Sequence, residues 1–329
     1  MATKPLVIVT HPMPETWLAP LAERTHLVVG PADVAGVAPE LAPYLAEAEG
    51  LFTWLTDRVE EALLARMPRL RVISNYAVGV DNIDVAACTR RGIPVGHTPG
   101  VLTDAVADLT WAVLLAVARG VVSAAADARA GRWGLWSATR WLGADVSGRT
   151  LGIVGFGAIG QAVARRARGF GMRVLYVSPR PKPQAEMALA ARRVGLDELL
   201  AESDFVSLHV PLTPATRGLI GEAQLRRMKP TAYLVNMARG PVVDTEALLQ
   251  ALRQGWIAGA ALDVTDPEPL PPEHPLYHLP NVLITPHIGS ATHGTRARMA
   301  QLAVANLLAG LEGRPLPHAV NPEVYHAAA

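Results

Sequence analysis

Three side chains of reactive type fall just past short apolar runs in the second half of the chain. Arg239 stands in Asn236-Met-Ala-Arg-Gly240, Glu268 in Asp263-Val-Thr-Asp-Pro-Glu-Pro269, and His287 in Pro286-His-Ile-Gly-Ser290. If those runs are parallel strands, each residue lies at a carboxyl-terminal strand end, the edge where open α/β sheets bind ligands. Together they are the parts needed to reduce a 2-oxo acid. A guanidinium fixes a carboxylate and its neighbouring carbonyl through paired hydrogen bonds. An imidazole is the acid or base that works near neutrality. A glutamate beside it orients the ring and keeps the protonated form available. Each residue alone has an ordinary reading as a surface Arg, a surface Glu or a buried His. Their joint placement carries the argument.

Such a reduction needs a hydride, and the sequence Gly155-Phe156-Gly157-Ala158-Ile159-Gly160 points to its source. This glycine motif follows the apolar run Leu151-Gly-Ile-Val154 and opens a helical pattern, the context in which it binds a dinucleotide. Gly155 permits a tight turn, Gly157 lets the backbone approach a pyrophosphate, and Gly160 lets helix and strand pack closely. The helix N-terminus then offers free N–H groups to the phosphates. In NAD-selective sites an Asp or Glu about 20 residues further on binds the ribose 2′-hydroxyl. Here the next apolar run, residues 173–177, ends in Ser178-Pro179-Arg180, with Lys182 close by and no carboxylate. Ser178 can donate a hydrogen bond and Arg180 can pair with a 2′-phosphate, so the reading is NADP(H) preferred, with NAD(H) still possible.

The elements that must position these residues follow from the hydrophobic pattern. Residues 6–9, 26–29, 50–54, 72–75 and 94–96 read as strands, and 15–23, 39–48, 59–66 and 85–91 as helices between them. A second series starts after Arg149, with strands at 150–155, 173–177, 205–210, 232–236, 259–263 and 282–285. Its helices are predicted over 158–170, 196–202, 222–228 and 244–254. This alternation implies an α/β protein with two doubly wound parallel sheets. Between the two series lie an apolar helix over 104–119, an Ala-rich segment to Arg129, and a glycine-flanked arm holding Trp133, Trp136 and Trp141. Those rings need cover, either from their own chain or from a second copy. A last helix over 292–311 follows the completed second sheet and can return to the first domain. The expected division is a discontinuous substrate-binding domain, 1–99 with 290–329, and a dinucleotide-binding domain, 100–289.

Composition narrows the partners. Lys+Arg 30 against Asp+Glu 29 leaves no basic surplus for nucleic acid or a membrane surface. The single cysteine, Cys88, excludes an internal disulfide framework and a Cys-based zinc site, and reads as a small buried hydrophobe. No metal is called for. Residues 1–4 and the run 6–9 do not make a signal peptide, and the apolar stretch 109–118 is about half of a bilayer span. A soluble cytoplasmic protein is the expectation, with low-complexity sequence confined to a short end at 325–329.

On residues 151–160, 234–240, 263–269 and 285–290 the sequence resembles the D-isomer-specific 2-hydroxyacid dehydrogenases, and the likeness runs over residues 5–322. The resemblance implies two Rossmann-like domains, the first flavodoxin-like, with the active site in the cleft between them. It implies closure about hinges near 99–101 and 287–290, and a homodimer formed through an arm at 104–148. It makes His287 the acid/base, Glu268 its partner and Arg239 the substrate anchor. Asp263 would bond the nicotinamide carboxamide, and Val210, Pro211, Thr216, Met237, Ala238, His287 and Gly289 would line the cofactor.

Two further stretches, 75–84 and 97–108, resemble the glyoxylate/hydroxypyruvate reductase branch, which tends to use NADPH. By that likeness the N–H groups of Val78 and Gly79 hold the substrate carboxylate, Leu55 flanks its C3 substituent, Thr103 sits near the nicotinamide, and Trp141, a better candidate than Trp136, reaches a partner's substrate pocket. The reaction implied is reduction of glyoxylate or hydroxypyruvate to the D-2-hydroxy acid. Other members of the family leave alternatives: a bulkier acid such as D-lactate or phosphoglycerate, a phosphonate, or a nucleotide-sensing corepressor that keeps the same triad. Glu268 stands where formate dehydrogenases carry Gln, and Val78 where phosphonate dehydrogenases carry Lys.

Overall fold

A computed structural model describes residues 4–34 and 36–326. The readings of the two chain ends rest partly on residues 1–3 and 327–329, which lie outside the described residues. The chain forms two α/β units, Met1–Leu102 with Thr292–Ala329, and Thr103–Ala291.

In the first unit, β1 (Leu6–Val9), β2 (His26–Val29), β3 (Gly50–Thr53), β4 (Val72–Asn75) and β5 (Val95–Gly96) pair in parallel in the order β2-β1-β3-β4-β5. This is the flavodoxin-type order, whose direction reverses between β1 and β3. Every residue of β3 and β4 is buried, as befits parallel strands covered on both faces. Ile8, Leu51, Ile73 and Val95 form the core with Leu45, Leu64 and Cys88.

The connections are tighter than the sequence pattern suggests. Residues 39–48 form only a 3₁₀ turn, Pro39–Tyr44, because Pro39 and Pro43 lack the N–H groups that an α-helix would use. The segment at 59–66 shortens to the helix Glu61–Leu64. The long helix His293–Leu311, capped by Thr292, covers this same sheet. A Cβ on Gly310 would stand 2.5 Å from the Val72 side chain, so glycine permits the approach. The chain end is stitched to β5. Asn306 Nδ2 donates to the His97 carbonyl at 3.0 Å, and Asn321 Oδ1 accepts from Val95 N at 2.8 Å.

The second unit opens with the helix Thr103–Ala118, in which Trp111 donates to the Val163 carbonyl at 3.1 Å and stacks on Phe170. Its sheet contains β6 (Thr150–Val154), β7 (Arg173–Val177), β8 (Ala191–Arg193), β9 (Phe205–Leu208), β10 (Tyr233–Asn236), β11 (Gly259–Leu262) and β12 (Val282–Ile284). All pair in parallel, in the order β12-β11-β10-β9-β6-β7-β8. The sequence pattern gives six of these strands. The seventh, β8, is an edge strand of Ala-Arg-Arg after the helix Pro183–Leu189, and two exposed arginines hide it from any hydrophobic period. The predicted helix over 158–170 also stops early, at Ala167, and a 3₁₀ turn Arg168–Phe170 finishes it before Gly171. Among the described residues no single helix is long and apolar enough to cross a membrane.

Candidate active site

Three loops leave adjacent strands of the second sheet at their carboxyl ends. After β10, Asn236 staples its own loop, accepting from Ala238 N and donating to the Arg239 carbonyl, both at 3.0 Å. Arg239 is partly buried, and its Nη1 donates to the Ala238 carbonyl at 2.8 Å. Gly240 follows because nothing larger fits: a Cβ there would lie 1.8 Å from the Thr265 carbonyl oxygen. That approach holds the Arg239 loop against the loop after β11, which carries Glu268.

His287 follows β12 in a left-handed conformation, φ +52°, which is costly for a residue with a Cβ. Asp263 over-determines it. Its Oδ1 accepts from Thr285 Oγ1 and Ile288 N at 2.7 and 2.8 Å, and its Oδ2 from Gly289 N at 2.8 Å. Burial raises the Asp263 carboxyl above the usual carboxylate range, against the pull of those donors and of His287. The structure therefore gives Asp263 a bracing role at the loop, beside the cofactor contact that the resemblance implies. So placed, His287 donates from Nδ1 to Glu268 Oε1 at 2.6 Å. Its side chain is 25 % exposed and that of Glu268 is 34 % exposed. Nε2 has no hydrogen-bond partner among the described residues, so it is available to a substrate oxygen.

The glycine turn joins β6 to the helix Ala158–Ala167 at the point where this sheet's strand order reverses. Gly155 has φ +100°, and a Cβ on it would stand 2.5 Å from the His209 carbonyl oxygen. A Cβ on Gly160 would stand 2.2 Å from the Gly155 carbonyl oxygen. At Gly157 a Cβ would meet nothing within 4 Å, so the helix N-terminus is open there, and no side chain caps it. Ala158 is exposed and Ile159 half-buried in this first turn, whose N–H groups have no intrahelical partner. A pyrophosphate fits this cradle. Phe156 can contribute only backbone, since its ring is buried and stacked on Tyr176 at 4.0 Å.

Ser178, at the end of β7, is half-buried, while Pro179, Arg180 and Lys182 are exposed. Arg193 of β8 braces their loop, donating to the Ser178 carbonyl at 3.0 and 3.1 Å and to the Pro179 carbonyl at 3.2 Å. Sequence reasoning missed Arg193 along with its strand. The doublet Arg192-Arg193, about one helix after the Ser-Pro-Arg turn, was the available signal. Val210 is half-buried after β9, and Pro211 and Thr216 close the next turn through a 2.6 Å bond from Thr216 Oγ1 to the Pro211 carbonyl. Met237 and Ala238 are buried behind Arg239. Thr103 starts the unit's first helix.

The remaining predicted residues lie elsewhere. Leu55 follows β3 of the first unit and is half-buried. Val78 and Gly79 follow β4, and their carbonyls accept from His97 Nδ1 and Asn75 Nδ2, both at 2.9 Å. The N–H groups of Val78 and Gly79 donate no hydrogen bond among the described residues, which leaves two adjacent donors for an anion. Trp141 is held by its own arm: its indole N–H donates to Asp127 Oδ2 at 2.9 Å, and the Arg140 guanidinium lies 4.0 Å from its ring. Trp133, Leu135 and Trp136 stay uncovered, at 65, 91 and 86 % exposure.

Residues 111–289 match the model of the D-isomer specific 2-hydroxyacid dehydrogenase family, NAD binding domain. The chain is 50 % identical over 325 residues to a glyoxylate reductase of Thermococcus gammatolerans, covering 98 % of this chain and 97 % of that one. A crystal structure of a Thermus thermophilus protein matches 96 % of this chain and 99 % of its own, at 52 % identity and TM-score 0.90. An NADPH-dependent glyoxylate/hydroxypyruvate reductase of Sinorhizobium meliloti, solved with NADP and malonate, matches 97 % of this chain and 98 % of its own, at 32 % identity and TM-score 0.85. By motif, fold and identity alike, the chain belongs to the D-isomer-specific 2-hydroxyacid dehydrogenase family.

Proposed function

We propose that this protein reduces glyoxylate and hydroxypyruvate to glycolate and D-glycerate, with NADPH as the preferred reductant. The observation that carries the reading is the 2.6 Å bond between His287 and Glu268 at the strand ends that also carry Arg239. The glycine turn would hold the pyrophosphate of a nicotinamide dinucleotide, which when bound would supply the hydride for C2 of the 2-oxo acid. His287 gives its Nε2 proton to the carbonyl oxygen as C2 is reduced, which completes the alcohol. Glu268 holds the ring and offsets the imidazolium charge. Arg239 fixes carboxylate and carbonyl and stabilises the negative charge that develops on oxygen. By the resemblance, the N–H groups of Val78 and Gly79 in the first unit would hold a carboxylate, and Leu55 would flank the C3 hydroxymethyl group that hydroxypyruvate has and glyoxylate lacks.

Preference for NADPH follows from Ser178, Arg180 and Lys182, with Arg193 adding a third cation beneath the same loop. The likeness to an NADP-bound reductase supports it. The uncovered tryptophans of the arm favour a homodimer, in which Trp141, pinned to Asp127, reaches a partner's substrate. A cytoplasmic setting, where NADPH is kept reduced, suits the direction of the reaction. Initial rates of NADPH and NADH oxidation with each acid test the reading. Turnover of both acids, faster with NADPH, is expected. Absence of turnover with either acid and either cofactor would overturn it.

A further inference from the structure

The first sheet carries a second histidine–carboxylate pair. His11 follows β1 and Asp57 follows β3, the two strands between which the strand order reverses. His11 Nε2 donates to Asp57 Oδ1 at 2.7 Å, while Thr10 Oγ1 and Trp54 N donate to Oδ2 at 2.5 and 2.6 Å. The other ring nitrogen of His11 faces the Pro31 carbonyl at 3.3 Å, and its ring packs 4.7 Å from that of Trp54. His11 is 3 % exposed and Asp57 is fully buried. A buried polar pair taken out of water adds little net stability, and its hydrogen bonds serve instead to specify one geometry.

The geometry specified here runs through two asparagines. Asn82 Nδ2 donates to the carbonyls of Trp54 and Asp57 at 3.0 and 2.9 Å. Asn75 Nδ2 donates to Asn82 Oδ1 at 3.1 Å and to the Gly79 carbonyl at 2.9 Å. One connected set of side chains thus ties the loop that bears Leu55 to the turn that bears Val78 and Gly79.

We infer that His11 and Asp57 are positioning residues that set the shape of the substrate subsite. They touch no substrate. They hold the 54–57 loop and, through Asn82 and Asn75, the pair of free N–H groups, so that a carboxylate meets preformed donors and the C3 substituent meets a fixed Leu55. The inference rests on the substrate reading above. It makes this pair a determinant of preference between acids: both acids use the carboxylate donors, but only hydroxypyruvate has a C3 group to meet Leu55, so a loosened loop penalises hydroxypyruvate more than glyoxylate.

Steady-state kinetics of Asp57→Asn, His11→Ala and His11→Gln with both acids test it, with NADPH affinity read by fluorescence and folding by thermal unfolding. For Asp57→Asn and His11→Ala, KM for hydroxypyruvate is expected to rise about tenfold or more, and KM for glyoxylate by less. Their kcat is expected to stay within about threefold and their NADPH affinity to stay unchanged. The ratio of kcat/KM for glyoxylate over hydroxypyruvate should rise, and His11→Gln, which keeps a donor toward Asp57, should recover most of the loss. If His11→Ala does not fold, Asp57→Asn and His11→Gln carry the test. Wild-type KM for both acids in a folded Asp57→Asn enzyme would overturn the inference. So would a joint loss of kcat, KM and NADPH affinity that His11→Gln does not relieve. A wild-type enzyme inactive on both acids would instead overturn the substrate reading itself.

Discussion

Each sheet ends in a histidine bonded to a carboxylate at nearly one distance, 2.7 Å for His11–Asp57 and 2.6 Å for His287–Glu268. Their surroundings part them. The first pair's side chains are 4 % and 0 % exposed, the second pair's 25 % and 34 %. Both nitrogens of His11 face protein acceptors, whereas His287 spends one on Glu268 and keeps the other free. The backbone of His287 is held in a disfavoured conformation by Asp263, and His11 needs no such brace. A histidine–carboxylate contact is therefore not in itself a catalytic signature. Access to one ring nitrogen, bought here with backbone strain, makes one pair fit for proton transfer, and its lack makes the other a clamp.

The sharpest way to break that contrast is to remove each histidine in turn. His287→Ala should lower kcat by about 10²–10⁴-fold, the usual worth of a general acid, with little change in thermal stability. His11→Ala should do the reverse, costing about 1–3 kcal/mol of stability by leaving the buried Asp57 Oδ1 without its partner. Comparable losses of kcat in the two variants would erase the distinction. Denaturant unfolding alongside turnover reads both quantities.

A smaller effect probes charge left at the surface. Arg180→Ala and Arg193→Ala should each raise KM for NADPH by about tenfold while leaving KM for NADH nearly unchanged, since only one cofactor carries the 2′-phosphate. Equal effects on both cofactors would assign these arginines to loop stability alone.

His209 extends the comparison to a histidine with no carboxylate at all. Its Nε2 lies 2.8 Å from Ser207 Oγ, its Nδ1 is buried without a partner, and burial pushes its pKa down to about 3. A depressed histidine pKa means that the unfolded chain takes up the proton first. Its contribution to stability is thus present above the unfolded pKa near 6.5 and is lost as pH falls from there toward 3. The slope should approach, at most, about 1.4 kcal/mol per pH unit. His209→Gln should flatten that part of the stability–pH curve; an unchanged curve would show that His209 titrates normally.

What could be read in advance divides along physical lines. Strands β1, β2, β4 and β7 fall where the apolar runs end; β1 and β4, buried on both faces, leave an unbroken hydrophobic signature, and the edge strand β2 keeps an apolar run although both its ends are exposed. The glycine turn was legible for the same kind of reason: Gly155 and Gly160 stand where no Cβ fits. Arg239, Glu268 and His287 were legible as strand-end residues, and the bond between two of them follows from fold geometry that no spacing encodes. β8 was not legible, since an edge strand of Ala-Arg-Arg has no apolar face to show. Nor was the clamp at His11, whose partner lies 46 residues away and meets it only when β1 and β3 pair.

One seam in the first unit bears on how the chain is made. Its sheet needs the helix His293–Leu311 and the bonds from Asn306 and Asn321 to finish one face and the β5 edge. The ribosome delivers those residues only after the whole of Thr103–Ala291. The first hundred or so residues therefore emerge with an incomplete core and wait while Thr103–Ala291, continuous in sequence, can fold as it appears. Birth order and folding order run opposite to each other, and a truncated product of stalled synthesis would leave the N-terminal sheet, not the nucleotide-binding one, exposed to chaperones and proteases.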